Sequence, residues 1–204
     1  MELILIILVI CVLVLGVIEF RIHKNSLSKI PIRIHVNGSR GKSSVVRLIA
    51  SGLRSGGLKT VAKTTGTSPR IIDEYGNDKY IHRLRSASIG EQISLIRRFS
   101  KIRPDALVIE CMAVNPQYQW ISEHKIVKST IGVMTNVRPD HLDEMGISID
   151  QITHSMGNTI PFNGIMVTSE DKQLEILEAI SSDRNTDFYS CNTSDLSNEE
   201  ISNF

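Results

Sequence analysis

Residues 3–18 form an apolar run without a single charge. Taken from residue 1 to 20, it makes a helix of about 30 Å, the thickness of a bilayer hydrocarbon core. After it the pattern changes period. Ile32, Ile34 and Val36 alternate as one face of a strand, and from Ser43 onward Val46, Ile49 and Leu53 fall at helical spacing up to Gly56-Gly57. Residues 58–63 read as a second strand. Residues 70–84 then read as two short strands around Tyr75-Gly76-Asn77-Asp78, a hairpin insertion with His82 and Arg83 on its surface. Residues 88–102 place Ile89, Ile93, Ile96 and Phe99 on one helical face, with Ser88 and Glu91 spaced as a capping box and Pro104 as the stop.

Residues 105–114 are nearly all apolar, as a central parallel strand buried on both faces requires. Asn115-Pro116 opens a helix reaching Val127, in which Trp120 and Ile121 face the core or the membrane. Then come a strand at 129–136, a helix at 148–160, a strand at 165–168, a helix at 171–181 and a last short strand at Phe188-Tyr189. Strands alternating with helices predict an α/β fold, a parallel sheet with flanking helices, preceded by one transmembrane helix.

The chemistry concentrates where strands end. The first strand breaks into Gly38-Ser39-Arg40-Gly41-Lys42-Ser43-Ser44, which leads straight into a helix. Strand, glycine turn and helix is the order of a P-loop: backbone N–H groups before the helix point at an anion, Lys42 reaches the β/γ-phosphates, and the Ser43 hydroxyl sits on Mg²⁺. The spacing is the shorter G-x-x-G-K-S, since Val36 stands where the commoner motif has its first Gly. An ordinary helix-capping turn is the bland alternative.

One charge interrupts the apolar run, Glu110. A buried carboxylate is costly unless paired or bound to a cation, so it is either a Mg²⁺ ligand beside the P-loop or half of a structural ion pair. Residues 63–70, rich in hydroxyls, lie where open α/β sheets place ligands and either contact phosphate or substrate or form a solvated loop. Asp140, His141 and Asp143 follow a central strand and can supply metal ligands and a proton acceptor, or form a solvated turn.

The 204 residues carry a net charge of +1, and no basic cluster with interleaved aromatics calls for nucleic acid. Glu2 precedes the apolar run and Arg21, His23 and Lys24 follow it. That asymmetry argues against a cleavable signal peptide and puts the N-terminus outside, with the remainder in the cytoplasm. The chain thus divides into an anchor at 1–20, a polar tether at 21–30 holding the site close to the bilayer, a nucleotide-binding domain at 31–190 and a polar, acidic tail at 191–204. Cys11, Cys111 and Cys191 are far apart and odd in number, which suits a reducing compartment. Cys111 alternates to the face opposite Glu110 and reads as packing.

The P-loop at 38–44, Glu110 ending its strand, and TNVRPDHLD at 135–143 together resemble the central ATP-binding domain of the Mur ligase family. Within that family the membrane-spanning start, the KTTGT loop, ECMAVNP, DHLDEMG and TIPFNG resemble the ligase subunit of poly-γ-glutamate synthase or capsule machinery. The resemblance covers nearly the whole chain. It implies ATP and Mg²⁺ as cofactors, with Asn37, Gly38, Ser39, Arg40, Gly41, Lys42, Ser43, Ser44 and Asn136 around the nucleotide. Ser43 and Glu110 would hold Mg²⁺, His141 would help bind a second ion, and Lys42, Glu110 and His141 would carry the catalysis.

The implied reaction activates a carboxylate as an acyl phosphate and joins it to an amine, here glutamate added to a growing poly-γ-glutamate chain. Other membrane subunits of the synthase are the implied partners. Two departures bear on this. Many members carry a Lys shortly after the DH pair, and residues 152–158 contain none. Members also close a C-terminal domain over ATP, so a chain ending at Phe204 is expected to be a fragment or truncated product. The alternatives are a catalytically incomplete ATP-binding membrane scaffold and another membrane-tethered P-loop enzyme such as a kinase.

Overall fold

The computed structural model describes residues 2–66, 68–81 and 88–191. His82, Arg83 and the tail from 192 to 204 lie outside the described residues.

Strand β1 (Ile32–Asn37) sits in the middle of an eight-stranded sheet. Its neighbours are β5 (Ala106–Glu110) and β6 (Ile131–Met134), both parallel to it. Beyond β5 lies β2 (Thr60–Thr64); beyond β6 lie β7 (Ile165–Thr168) and β8 (Asp187–Ser190), all parallel. The short antiparallel strands β3 (Arg70–Ile72) and β4 (Asp78–Tyr80) extend the β2 edge as the expected hairpin. The parallel part is therefore ordered β2-β5-β1-β6-β7-β8. Because β5 lies between β1 and β2, the ends of β1 and β5 become neighbours, with Val36 opposite Glu110.

The apolar residues of β5 divide by pleat. Leu107 and Ile109 pack in a cluster with Leu95, Ile96 and Phe99 of α3 (Gly90–Ser100), whereas Val108 packs with Val46 and Ala50 of α2 (Lys42–Ser55). A third cluster joins Met134, Ile152, Met156 and Leu177, beneath α6 (Ile149–Gly157) and α7 (Leu174–Asp183). Each fully buried side chain of this size contributes about 1.5–3 kcal/mol relative to exposure.

The first helix, α1 (Glu2–Leu27), is long and apolar enough to cross a membrane, by length and composition. It runs past residue 20, so the expected polar tether is instead two further turns of helix that dock on the domain. Leu27 and Ile30 enter the α3-side cluster, and His23 Nε2 meets the Ile126 carbonyl oxygen at 2.8 Å. Arg97 of α3 pairs with Glu19. The reason is the amphipathic change at residue 23: His23, Ser26 and Leu27 are buried where everything before them is exposed.

The capping box expected at Ser88 does not form. Helix α3 begins at Gly90, whose N–H donates to Ser88 Oγ, and Glu91 lies 3.5 Å from the buried Lys63 ammonium. A capping box does close on α6, between Ser148 and Gln151. The helix after Asn115 is α4 (Pro116–Ile121), capped by the Asn115 side chain, and it continues through Ser122–Val127 with wider i→i+5 turns. Helix α5 (Leu142–Met145) is a single turn.

Candidate active site

The loop from β1 to α2 makes a cradle through two backbone features. Gly38 has φ 136° and Gly41 φ 80°, conformations that residues with a Cβ adopt at a cost. At Gly38 a Cβ would also overlap Thr135 Oγ1 and lie 3.0 Å from the Asn136 carbonyl oxygen. The loop can therefore lie flat against the segment after β6. That segment clamps it: Ser39 N–H donates to the Asn136 carbonyl (3.0 Å), Arg40 N–H to Asn136 Oδ1 (3.1 Å), and Thr135 Oγ1 and Asn136 Nδ2 both donate to the Arg40 carbonyl. Ser39 Oγ donates to the Arg138 carbonyl and accepts from Arg138 N–H, each at 2.8 Å.

The first turn of α2 supplies the charged groups. Lys42 Nζ donates to the Gly38 carbonyl at 2.6 Å, which folds the ammonium over the loop. Ser43 Oγ donates to Glu110 Oε2 at 2.6 Å, and Thr65 N–H donates to the same oxygen at 2.8 Å. Glu110 is thus buried at the end of β5 with two donors, and among the described residues no basic side chain is bonded to it, so none of them makes it half of a structural ion pair. Hydroxyl and carboxylate oxygens side by side are the hard donors Mg²⁺ takes, usually with water and phosphate oxygens completing its shell. The pair fits that ion. Among the described residues no group of three or more His, Cys, Asp or Glu is placed to hold a metal.

A cavity of about 300 Å³ adjoins the cradle and is lined by Lys42, Thr65, Glu110, Met112, Asp140 and His141, among others. Loop residues Thr65 and Gly66 thereby join the site. In the same lining, His141 has φ 45° and is half-exposed, with Nε2 3.9 Å from Asp140 Oδ1; Asp140 Oδ2 lies 3.4 Å from Arg40 Nη1 of the loop. Asp143 is exposed on α5 and does not line the cavity.

Of the residues expected around a nucleotide, Asn37, Gly38 and Lys42 line this cavity, and Ser39 through Ser44 line a second depression on the loop that also reaches Glu110. The buried Asn37 side chain is also held from within, its Nδ2 donating to Gln119 Oε1 (3.0 Å) and Thr159 Oγ1 (3.1 Å). Asn136 holds the loop by its backbone and side chain.

Sequence reasoning missed the support under β1. His35 and Glu123, both buried, meet at 2.8 Å, and Glu123 also accepts from Ser129 N–H. Burial pushes the His35 imidazole down, but the Cys111 and Glu123 side chains beside it outweigh that and hold it up to about 10. No local signal could pair residues 88 positions apart.

Residues 36–203 match the model of the Mur ligase middle domain. The chain is 38% identical over 194 residues to the capsule biosynthesis protein CapB of Bacillus anthracis, a match covering 94% of this chain and 42% of that protein. It is 38% identical over 195 residues to PGA synthase CapB of Bacillus subtilis (strain 168), covering 95% and 50%. The chain therefore spans half or less of the length of these relatives. Among solved structures, an FPGS complex with AMPPCP superposes with a TM-score of 0.62 at 17% identity, over 85% of this chain and 48% of that one. A bifunctional folylpolyglutamate synthase/dihydrofolate synthase from Yersinia pestis, complexed with AMPPNP and Mn ion, superposes with 0.63 at 16% identity, over 84% and 46%. These distant structures share the fold.

Proposed function

We propose, from the premise that this chain belongs to the Mur ligase family, that it is the ATP-binding portion of an amide ligase adding glutamate to a growing poly-γ-glutamate chain. The observation that carries the reading is Ser43 bonded to Glu110 at the mouth of a phosphate cradle. The names of the two CapB relatives support the substrate class.

In this reading the loop amides and Lys42 hold the ATP phosphates, and Ser43 and Glu110 hold Mg²⁺. Bound there, the ion would neutralise charge on the transferring phosphoryl group. The terminal carboxylate of the polymer attacks the γ-phosphoryl group in line, giving an acyl phosphate and ADP; the glutamate amine then displaces phosphate and forms the amide. The protein supplies charge stabilisation and positioning rather than a nucleophile. His141 and Asp140 line the same cavity, where they would meet a second cation or the incoming amine. Helix α1 anchors the chain in the membrane with its N-terminus outside, and other membrane subunits complete the synthase.

The test is ADP release by the purified chain in detergent with Mg²⁺, glutamate and an oligo-γ-glutamate acceptor, beside ATP binding under the same conditions. Glutamate-dependent ADP release with an elongated product supports ligation. ATP binding with no such release, even with partner subunits added, favours a nucleotide-binding scaffold, and phosphotyrosine formed without glutamate identifies a kinase. Absence of ATP binding overturns the site.

A further inference from the structure

Where α1 meets the domain, a second cavity of about 190 Å³ opens at the end of β1 opposite the phosphate cradle. It is lined by Lys24, Arg33, Lys125 and Lys128 together with Phe20 and Leu27, and among the described residues no carboxylate lines it. These cations come from α1, from the start of β1 and from the end of the helix that follows α4, so they form a cluster only in the fold.

Three observations give the cluster a ligand. The first is charge. Glu123, the carboxylate that acts on Arg33, is already held by His35 and by Ser129 N–H, and Glu19 is held by Arg97. Four cations around one cavity repel one another until an anion enters. The second is that the site is built. Arg33 is fixed by three carbonyl bonds, Nε to Lys128 (2.8 Å) and Nη1 to Ile30 (2.7 Å) and Pro31 (3.4 Å), and Lys125 is placed 5.0 Å over the Trp120 ring. His23, nine-tenths buried in the same wall, has its Nδ1 without a hydrogen-bond partner.

The third is position. The uncharged run of α1 ends at residue 18, and at about 1.5 Å per residue Phe20 to Leu27 occupy the next two turns, the depth of the lipid head groups. An anion arriving there would carry acyl chains beside the exposed apolar flank of α1.

We infer that this cavity binds the phosphate head group of an anionic phospholipid, with Phe20 and Leu27 against its glycerol and upper acyl carbons. The assignment rests on reading α1 as a membrane span. A free phosphate or a polyglutamate segment shares the anionic chemistry, but neither uses the apolar wall or the adjoining helix.

The test uses the full chain in nanodiscs of phosphatidylglycerol mixed with phosphatidylcholine, with retained lipid counted by native mass spectrometry. Alkaline carbonate extraction of vesicles is run first. Release by carbonate overturns the span and this site with it, whereas a resistant chain isolates the pocket. The expected result is preferential retention of phosphatidylglycerol. A Lys24→Gln, Lys125→Gln, Lys128→Gln triple variant should lower that retention on the order of a hundredfold at low salt. The matched triple Lys59→Gln, Lys79→Gln, Lys172→Gln, which removes the same charge outside this cavity, should retain it. Equal retention of both lipids, or equal loss in both triples, overturns the pocket. Trp120, the sole tryptophan, reports the competing ligands by fluorescence in detergent. Saturation by inorganic phosphate, or by oligo-γ-glutamate, at the concentration that saturates with phosphatidylglycerol would also overturn the lipid assignment.

Discussion

The Ser43 hydroxyl donates to Glu110 Oε2 across 2.6 Å, although 67 positions of chain separate the two residues. The contact exists because β5 inserts beside β1, so that the end of one strand faces the loop leaving the other. A carboxylate there serves the cradle only while that strand order holds. Replacing Glu110 with Gln keeps the shape and removes the charge. The expected outcome is ATP binding that no longer strengthens with Mg²⁺, measured by titration with and without the ion; an unchanged Mg²⁺ dependence would remove Glu110 from the metal site.

Lys42 extends over the loop to the Gly38 carbonyl. Lys42→Ala removes a charge-assisted partner for phosphate worth about 1.5–3 kcal/mol, which is roughly a tenfold to hundredfold loss of ATP affinity. Calorimetric titration of the purified chain reads it directly. Equal affinity in variant and parent would sink the phosphate assignment.

The two glycines of the cradle should respond differently to Ala. At Gly41 a Cβ meets nothing within 4 Å, so the cost is that of the left-handed backbone, about 1–2 kcal/mol. At Gly38 the same backbone cost is joined by overlap with Thr135 Oγ1, which is anchored to the Arg40 carbonyl. Denaturant unfolding should rank Gly38→Ala as the less stable variant, and the reverse order would mean that the loop does not lie against the segment after β6.

Stability should fall on the alkaline side of neutrality. An unfolded histidine titrates near about 6.5, whereas folded His35 is held up to about 10 by Cys111 and Glu123 against the opposing effect of burial. Its contribution is complete below the unfolded value and is lost as pH climbs toward the folded one. Half-buried His124 behaves oppositely: burial, with Arg184 nearby, holds it below its ordinary value, so its contribution fades as pH drops below about 6.5. Thermal melts from pH 5 to 10 should show a maximum near neutrality. His35→Gln should flatten the alkaline limb and His124→Gln the acid one.

Where α1 is cut should separate anchoring from folding. Removal of residues 2–18 takes away exposed apolar surface and should abolish membrane retention while ATP binding persists, because the cradle lies at the far end of β1. Removal through residue 30 also strips Leu27 and Ile30 from the core and should lower the melting temperature markedly. Fractionation and melting curves distinguish the two. Membrane retention of the shorter cut would shift the anchor elsewhere.

Much of this protein is local, and the sequence by itself determined it. Period-2 and helical spacing marked the parallel strands and the helices between them, and G-x-x-G-K-S followed by a helix marked the cradle, because a phosphate loop is built from consecutive backbone amides. Glu110 was conspicuous as the lone charge in an apolar strand. The N-terminal apolar helix was legible from length and composition; its continuation to Leu27 was not, because burial of His23, Ser26 and Leu27 depends on α3 and on the chain at Ile126. The Ser88 capping box was a correct local pattern that failed when Glu91 was placed beside buried Lys63.

Only the tertiary structure decided which strand ends meet. It set Glu110 against Ser43, buried His35 against Glu123, turned Asn37 inward to Gln119, and gathered Lys24, Arg33, Lys125 and Lys128 from a sequence with no basic run. The physical reason is one and the same. Hydrophobic periodicity specifies which face of an element is buried, but strand order and helix docking specify what each polar side chain finds there, and those pairings span most of the chain.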